Sequence, residues 1–280
     1  MMLHGLSEIL PDQLDKRLNV IQMLADCFQK NGFSRMTTPT FEPYSDLSAG
    51  WDDFLKDISI QFFNNEGTLM VLRPEMTSPI ARLICSRRKQ LDLPLKLYYA
   101  ENVFRKTHVF RKQEMLQVGL ECFGRGGLEA DVEVVHVLME ALSAVGVINY
   151  VVELGHIENV QDKSERELRA LLQGDYASLV ALPRIGDAGI LKAGSHLKEF
   201  ADAFQKAHPK KVSHVQYNLG RVEAIAYYSG IIFNVMVPGV GYVIGSGGRY
   251  DGLMARYGWD VPAVGFALEF DKLALALEKP

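Results

Sequence analysis

Apolar residues recur at helical spacing near the start of the chain. Leu14, Leu18, Ile21, Leu24 and Phe28 follow steps of four and three and share one helix face. Pro11 suits the first turn of that helix and Gly32 its end. Phe33–Pro39 then reads as extended, and Trp51–Lys56 as a polar surface excursion. Ile58–Phe63 and Thr68–Arg73 are strand-like runs joined by Asn64-Asn65-Glu66-Gly67, a hairpin signal. Thr77-Ser78-Pro79 reads as a helix cap followed by a first-turn proline, opening a helix through about Lys89.

Leu95–Arg105 and Glu114–Phe123 are two long strand-like runs around a basic loop, Lys106–Lys112. Leu128–Val145 is predicted helical, with Val132, Val135, Leu138, Met139 and Leu142 on its apolar side, and Asn149–His156 is predicted as a strand. Residues 158–212 change character. Ser164–Leu172, Tyr176–Leu182 and His196–His208 read as short amphipathic helices, a small helical insertion between strands. His214–Leu219, Gly230–Val237, Tyr242–Ile244 and Val264–Leu268 return to strand pattern, and Asp271–Leu277 closes as helix. Hairpin-joined strands with helices beside them predict an α+β domain built on an antiparallel sheet, spanning residues 1–280.

Composition narrows the classes. The 280 residues are 48% hydrophobic and 23% charged, which is ordinary globular usage. Lys and Arg number 30 against 34 Asp and Glu, so the net charge near -4 argues against bulk nucleic-acid binding. Cys27, Cys85 and Cys122 lack CxxC spacing and sit in apolar contexts, the pattern of free thiols in a reducing, cytoplasmic setting. The N-terminal stretch has no signal-peptide pattern, and no run of about 18 apolar residues predicts a membrane span. The seven histidines are scattered, so no metal or cofactor is expected.

Candidate chemistry lies in three segments. Glu75 and Thr77, in LRPEMT, stand between a strand and a helix start. They could hold an ammonium group through charge-assisted bonds, or Thr77 could cap the helix with Glu75 solvated. Gln117, Gly119 and Glu121 alternate along a strand and share a face, which is either a small-molecule wall or a wet outer surface. Arg105 and the basic loop after it suit a phosphate or carboxylate, or a solvated hairpin end. The loop Gly245-Ser246-Gly247-Gly248 permits close approach of backbone to a ligand but lacks nucleotide-loop spacing.

Together these segments resemble histidyl-tRNA synthetase in order and spacing, across essentially the whole chain. Gly32–Glu42 is similar to motif 1 of class II aminoacyl-tRNA synthetases, Phe104–Gly124 to motif 2 and Ala263–Leu273 to motif 3. Tyr227–Phe233 (YYSGIIF) and Gly245–Leu253 (GSGGRYDGL) resemble the two histidine-specific signatures. The resemblance implies a class II synthetase-like core that dimerises through motif 1. It implies that Glu75, Thr77 and Gln117 hold the histidine α-amino group. Glu121 and Tyr228, beside Tyr227, would recognise imidazole, and Arg105 would serve the carboxylate or phosphate end.

The departures fall on ATP and tRNA functions. Thr107 replaces the motif 2 glutamate that contacts adenine, and the loop is shorter. Glu223 replaces an arginine near the reacting carboxylate, although Arg221 lies two residues away and a local insertion would restore the charge. In motif 3, Glu269 replaces a glycine and Lys272 an arginine. The chain stops at Pro280 directly after motif 3, so the anticodon-binding domain is expected to be absent. This pattern resembles the regulatory subunits of ATP phosphoribosyltransferase. It implies no catalytic residue of the chain's own, L-histidine as ligand and a short-form catalytic subunit as partner. It implies no tRNA and no membrane as partners, and a place in feedback on the first step of L-histidine biosynthesis. The alternative is a synthetase core that still makes histidyl-adenylate; a third reading is a tRNA-binding module.

Overall fold

A computed structural model describes residues 8–106, 112–159, 194–218 and 227–278. In chain order the strands are β1 (Ser34–Arg35), β2 (Phe41–Pro43), β3 (Ile60–Phe63), β4 (Leu69–Leu72), β5 (Leu95–Phe104), β6 (Glu114–Phe123), β7 (Val151–His156), β8 (Val215–Tyr217), β9 (Ile231–Met236), β10 (Val243–Arg249) and β11 (Ala263–Glu269). The α-helices are α1 (Pro11–Lys30), α2 (Tyr44–Ser48), α3 (Asp53–Ile58), α4 (Thr77–Ser86), α5 (Leu128–Ala144), α6 (His196–Ala207), α7 (Asp251–Arg256) and α8 (Phe270–Leu277).

Among the described residues, eight strands form one sheet in the order β1-β5-β6-β11-β10-β9-β7-β8, and β2-β4-β3 form a second, antiparallel sheet. The large sheet is antiparallel through its middle, as the hairpin pattern predicts. Its two outermost pairs, β1 with β5 and β7 with β8, run parallel. Short strands reached by long connections cannot be recognised as edge partners from local pattern, because parallel pairing needs a crossover.

The sheet separates two apolar clusters, and strand alternation assigns residues to each. Tyr98 packs on one side with Leu24, Phe28, Val135, Leu138 and Phe233, while its neighbour Tyr99 packs on the other with Trp51, Met76, Ile80 and Tyr250. Along β6, Val118, Leu120 and Cys122 face α1 and α5, whereas Phe123 belongs to the opposite cluster. Arg249, at the end of β10, fastens the sheet to α5: its Nε donates to Asp131 Oδ1 at 3.0 Å and its Nη1 to Asp251 Oδ1 at 3.1 Å. Asp251 also accepts the Ala263 N–H at 2.8 Å, tying β10 to β11.

Several local expectations change. The stripe on α1 is buried only in its second half, at Leu24 and Phe28; Leu14 and Leu18 are 42% and 52% exposed. Trp51–Lys56 is no surface excursion, since Trp51 and Leu55 are core and Asp52 caps α3 by accepting the Leu55 N–H. The helix opening at Thr77 ends at Ser86, followed by a 3-10 turn at Arg88–Gln90. The Gly245–Gly248 segment is a central strand, paired on both sides, and not a loop. Within 158–212, the helix expected at His196–His208 is present as α6, an unexpected 3-10 segment follows at Pro209–His214, and the helices expected at Ser164–Leu172 and Tyr176–Leu182 lie outside the described residues. Most of the basic loop after Lys106 also lies outside them.

Candidate functional site

The cleft begins with β6. Alternation turns Gln117, Gly119 and Glu121 to the same face, and β11 lies beside them with Glu269 opposite Gln117, Ala267 opposite Gly119 and Gly265 opposite Glu121. β10 continues the row with Ser246 opposite Ala267 and Gly248 opposite Gly265. Directly opposed residues of an antiparallel pair share a face, so the floor is paved with small side chains across three strands. Glycine is sterically required at several of these positions, Gly265 and Gly119 among them. A Cβ on Gly265 would stand 1.9 Å from Glu121 Oε2 and 2.4 Å from the Leu120 carbonyl oxygen. A Cβ on Gly119 would stand 2.2 Å from the Phe266 carbonyl oxygen and 2.6 Å from the Tyr99 hydroxyl.

The wall comes from the start of α4. Glu75 is buried, and its carboxylate accepts the backbone N–H groups of Thr77 at 2.7 Å and Ser78 at 3.0 Å. Glu75 therefore satisfies two of the helix's orphan donors, and Thr77 is the first helical residue, not the cap. This overturns the arrangement with Thr77 capping and Glu75 solvated. Released from capping, Thr77 donates its hydroxyl to Glu121 Oε1 at 2.8 Å. Tyr250, between β10 and α7, donates to Glu121 Oε2.

Three chain segments thus converge on one carboxyl group that is 1% exposed, so β6 does not present a wet outer face here. Burial pushes the Glu121 carboxyl up to about 8, against the lowering bonds from Tyr250 and Thr77, and the nearby Glu75 charge adds to the rise. Burial likewise raises Glu75, opposed by its bonds to Ser78 and Thr77 and by the Arg105 charge. The phenols of Tyr99, Tyr227 and Tyr250 are held well above the usual tyrosine range, first by burial, and remain neutral donors. The Tyr99 hydroxyl and the Gln117 amide oxygen are buried with no aligned hydrogen-bond partner among the described residues.

The other end of the cleft is ionic. Arg105 donates through Nε to the Pro74 carbonyl at 2.5 Å, and its Nη1 lies 3.7 Å from Glu269 Oε1. Lys272 Nζ lies 2.6 Å from Glu269 Oε2, and Lys112 pairs with Asp271 at 3.0 Å. Between the two ends is a space of about 100 Å³ lined by Glu75, Thr77, Arg105, Gln117, Tyr227 and Tyr228, with Glu269 and Lys272 at the ionic end.

The seven residues singled out from sequence are therefore adjacent: six line the space, and Glu121 is hydrogen-bonded to two of its lining residues, Thr77 and Tyr250. Thr107, Arg221 and Glu223 lie outside the described residues. Sequence reasoning missed Tyr99, Tyr250 and Gly265 as members of the site. Tyr250 sits inside GSGGRYDGL, a segment singled out for its glycines, and its side chain was the available signal. Tyr99 and Gly265 carry no local signal, because their role depends on register with β6.

In chemical terms, the deep end offers two buried carboxyl groups and several neutral hydroxyls, suited to a group bearing N–H donors. The ionic end offers cations, suited to an anion.

A family model described as Histidyl-tRNA synthetase matches residues 5–162 and 158–273 of the chain. An ATP phosphoribosyltransferase regulatory subunit of Moorella thermoacetica is 32% identical, over 97% of this chain and 80% of that protein. Another of that name, from Thermoanaerobacter pseudethanolicus, is 30% identical over 98% and 82%. Among solved structures, an ATP phosphoribosyltransferase regulatory subunit/histidyl-tRNA synthetase from Bacillus halodurans superposes with a TM-score of 0.88 at 25% identity, covering 100% of this chain and 83% of that one. The apo histidyl-tRNA synthetase of S. aureus shares the fold, with a TM-score of 0.74 at 21% identity over 99% of this chain and 70% of that one.

Proposed function

The chain belongs to the ATP phosphoribosyltransferase regulatory subunit family, on the histidyl-tRNA synthetase fold, and from that premise we propose that it is a non-catalytic subunit that binds free L-histidine in this cleft. It would report that occupancy to a separate, short-form catalytic subunit in the cytoplasm, as feedback on the first step of histidine synthesis. The observation that carries the reading is the contrast between the two ends of the cleft. The carboxyl of Glu121 is held by Thr77 and Tyr250, while the ionic end is already occupied by Glu269.

In this reading Glu75, Thr77 and Gln117 hold the α-amino group. A carboxylate has about four lone-pair sites, so Glu75 can cap α4 and still accept from an ammonium. Glu121 and Tyr228 read the imidazole, with Tyr227 packed against Tyr228 at 5.0 Å between ring centroids. Arg105 meets the carboxylate. The chain pairs with a second copy through the motif 1 segment Gly32–Glu42 and engages no tRNA. Histidine can shift the activity of the assembly only by binding one of its states more tightly than another.

The direct test is copurification with a short-form ATP phosphoribosyltransferase catalytic subunit, followed by assay of the complex with histidine. The expected result is that the chain is required for full activity and that histidine inhibits the complex. Histidine-dependent ATP–pyrophosphate exchange by the purified chain alone would overturn the non-catalytic reading in favour of a synthetase core.

The raised carboxyl of Glu121 gives a pH signature. The bound imidazole and Glu121 share one proton. The free imidazole titrates at about 6.5, and burial pushes Glu121 in the empty cleft up to about 8. Between those values the empty protein brings that proton, and binding neither takes up nor releases one. Below about 6.5 ligand and protein each carry one, so binding releases a proton and affinity falls by about tenfold per pH unit. Above about 8 neither carries it, and affinity falls again. Calorimetric titration of histidine from pH 5 to 9 is expected to give a plateau between these limits. Tighter binding at pH 5.5 than at 7.5 would show that Glu121 titrates as an ordinary carboxylate and that this account of the pocket is wrong.

A further inference from the structure

The ionic end carries an arrangement with a consequence for ligand choice. Glu269 is the last residue of β11, and Lys272 follows one turn later at the start of α8. The two Glu269 oxygens are divided between two cations: Oε1 lies 3.7 Å from Arg105 Nη1 and Oε2 lies 2.6 Å from Lys272 Nζ. All three side chains are largely shielded and line the cleft. Nearby, Lys112 is neutralised by Asp271 at 3.0 Å. Across the cleft stands Glu75, whose carboxyl the Arg105 charge influences. Two cations against one carboxylate leave the Arg105–Glu269–Lys272 cluster with a single net positive charge.

We infer that Glu269 is a built-in counter-anion that sets the specificity of the cleft, fitting it to one carboxylate and closing it to polyphosphate. A monoanion needs one unit of balancing charge, which the cluster supplies. A di- or triphosphate brings several negative charges into a half-buried site where Coulomb terms are weakly screened. It would have to displace Glu269 from both cations or lie beside an unneutralised carboxylate. Lysine at 272 reinforces this, because it offers a point charge to Glu269 and lacks the planar fork that grips phosphate. The inference rests on the amino-acid reading of the same cleft and adds the reason why a nucleotide's phosphates are refused there.

The test uses inorganic pyrophosphate as the probe, titrated calorimetrically into the full chain and into Glu269→Gln, Glu269→Gly and the double variant Glu269→Gln with Lys272→Ala. Both single variants are expected to bind pyrophosphate about tenfold or more tightly than the wild type, with steep salt dependence, and the double variant is expected to lose that gain. On the wild type alone, millimolar pyrophosphate should leave histidine binding undisturbed. Equal pyrophosphate affinity in the wild type and in folded single variants would overturn the inference, as would displacement of histidine from the wild type. Histidine titrated into the same proteins reads the underlying assignment separately. Absence of histidine binding to the wild type would sink the amino-acid pocket, while the pyrophosphate comparison would still decide the role of Glu269.

Discussion

Replacing Glu121 with alanine should weaken histidine binding by about 100-fold or more while leaving copurification with the catalytic subunit intact. The expectation follows from position. Glu121 is almost completely buried, and Thr77 and Tyr250 fix its two oxygens in place. A buried charge-assisted bond to a ligand is worth roughly 2–4 kcal/mol when the partner left behind cannot find water. Glu121→Gln keeps the shape and one acceptor oxygen, so it should lose less than Glu121→Ala. Stability should move little in either variant, because removing a desolvated carboxyl offsets the hydroxyls left unpaired. The readouts are calorimetric affinity for histidine and histidine inhibition of the assembled complex. Unchanged inhibition with Glu121→Ala would place the sensor elsewhere in the complex.

Gly265→Ala should damage both the fold and the pocket. Its Cβ would meet the Glu121 carboxylate at 1.9 Å and the Leu120 carbonyl oxygen at 2.4 Å. The first contact could be relieved by turning the Glu121 side chain, at the expense of its bonds to Thr77 and Tyr250. The second is with backbone of the paired strand, so β6 and β11 must part at the floor of the cleft. Overpacking of this kind costs roughly 1–3 kcal/mol, and more where backbone has to move. Urea unfolding should report that loss together with loss of histidine binding. Adding Glu121→Ala removes only the side-chain clash, so the double variant should remain destabilised. A Gly265→Ala protein with wild-type stability and histidine affinity would show that close β6–β11 packing does not shape the pocket.

Both predictions depend on residues whose legibility in the sequence differs. Glu121 was visible because alternation along Glu114–Phe123 places it with Gln117 and Gly119, and because the segment resembles motif 2. Gly265 was visible only as part of a motif 3 resemblance, with no indication that it faces Glu121. The capping of α4 shows the same limit. Sequence preference assigned the cap to Thr77, a sound local choice. The fold gave the task to Glu75, because burial left its carboxylate next to the N–H groups of Thr77 and Ser78 with no water to compete. The glycines at 245–248 read locally as a loop, yet they form a paired central strand, since strand propensity yields to packing when neighbours lie on both sides.

Residue spacing along the chain settles the periods, and with them which side chains share a face of each strand and helix, the α+β class and the family resemblance. These depend only on spacing along the chain and on residue type. Which faces meet is set by the folded chain: Thr77 and Tyr250 close on Glu121, Gly265 lies against it, and Glu269 stands between Arg105 and Lys272. Apart from Glu269 with Lys272, one helical turn away, those pairings join residues far apart in sequence, and burial, register and charge balance belong to the assembled sheet rather than to any one segment.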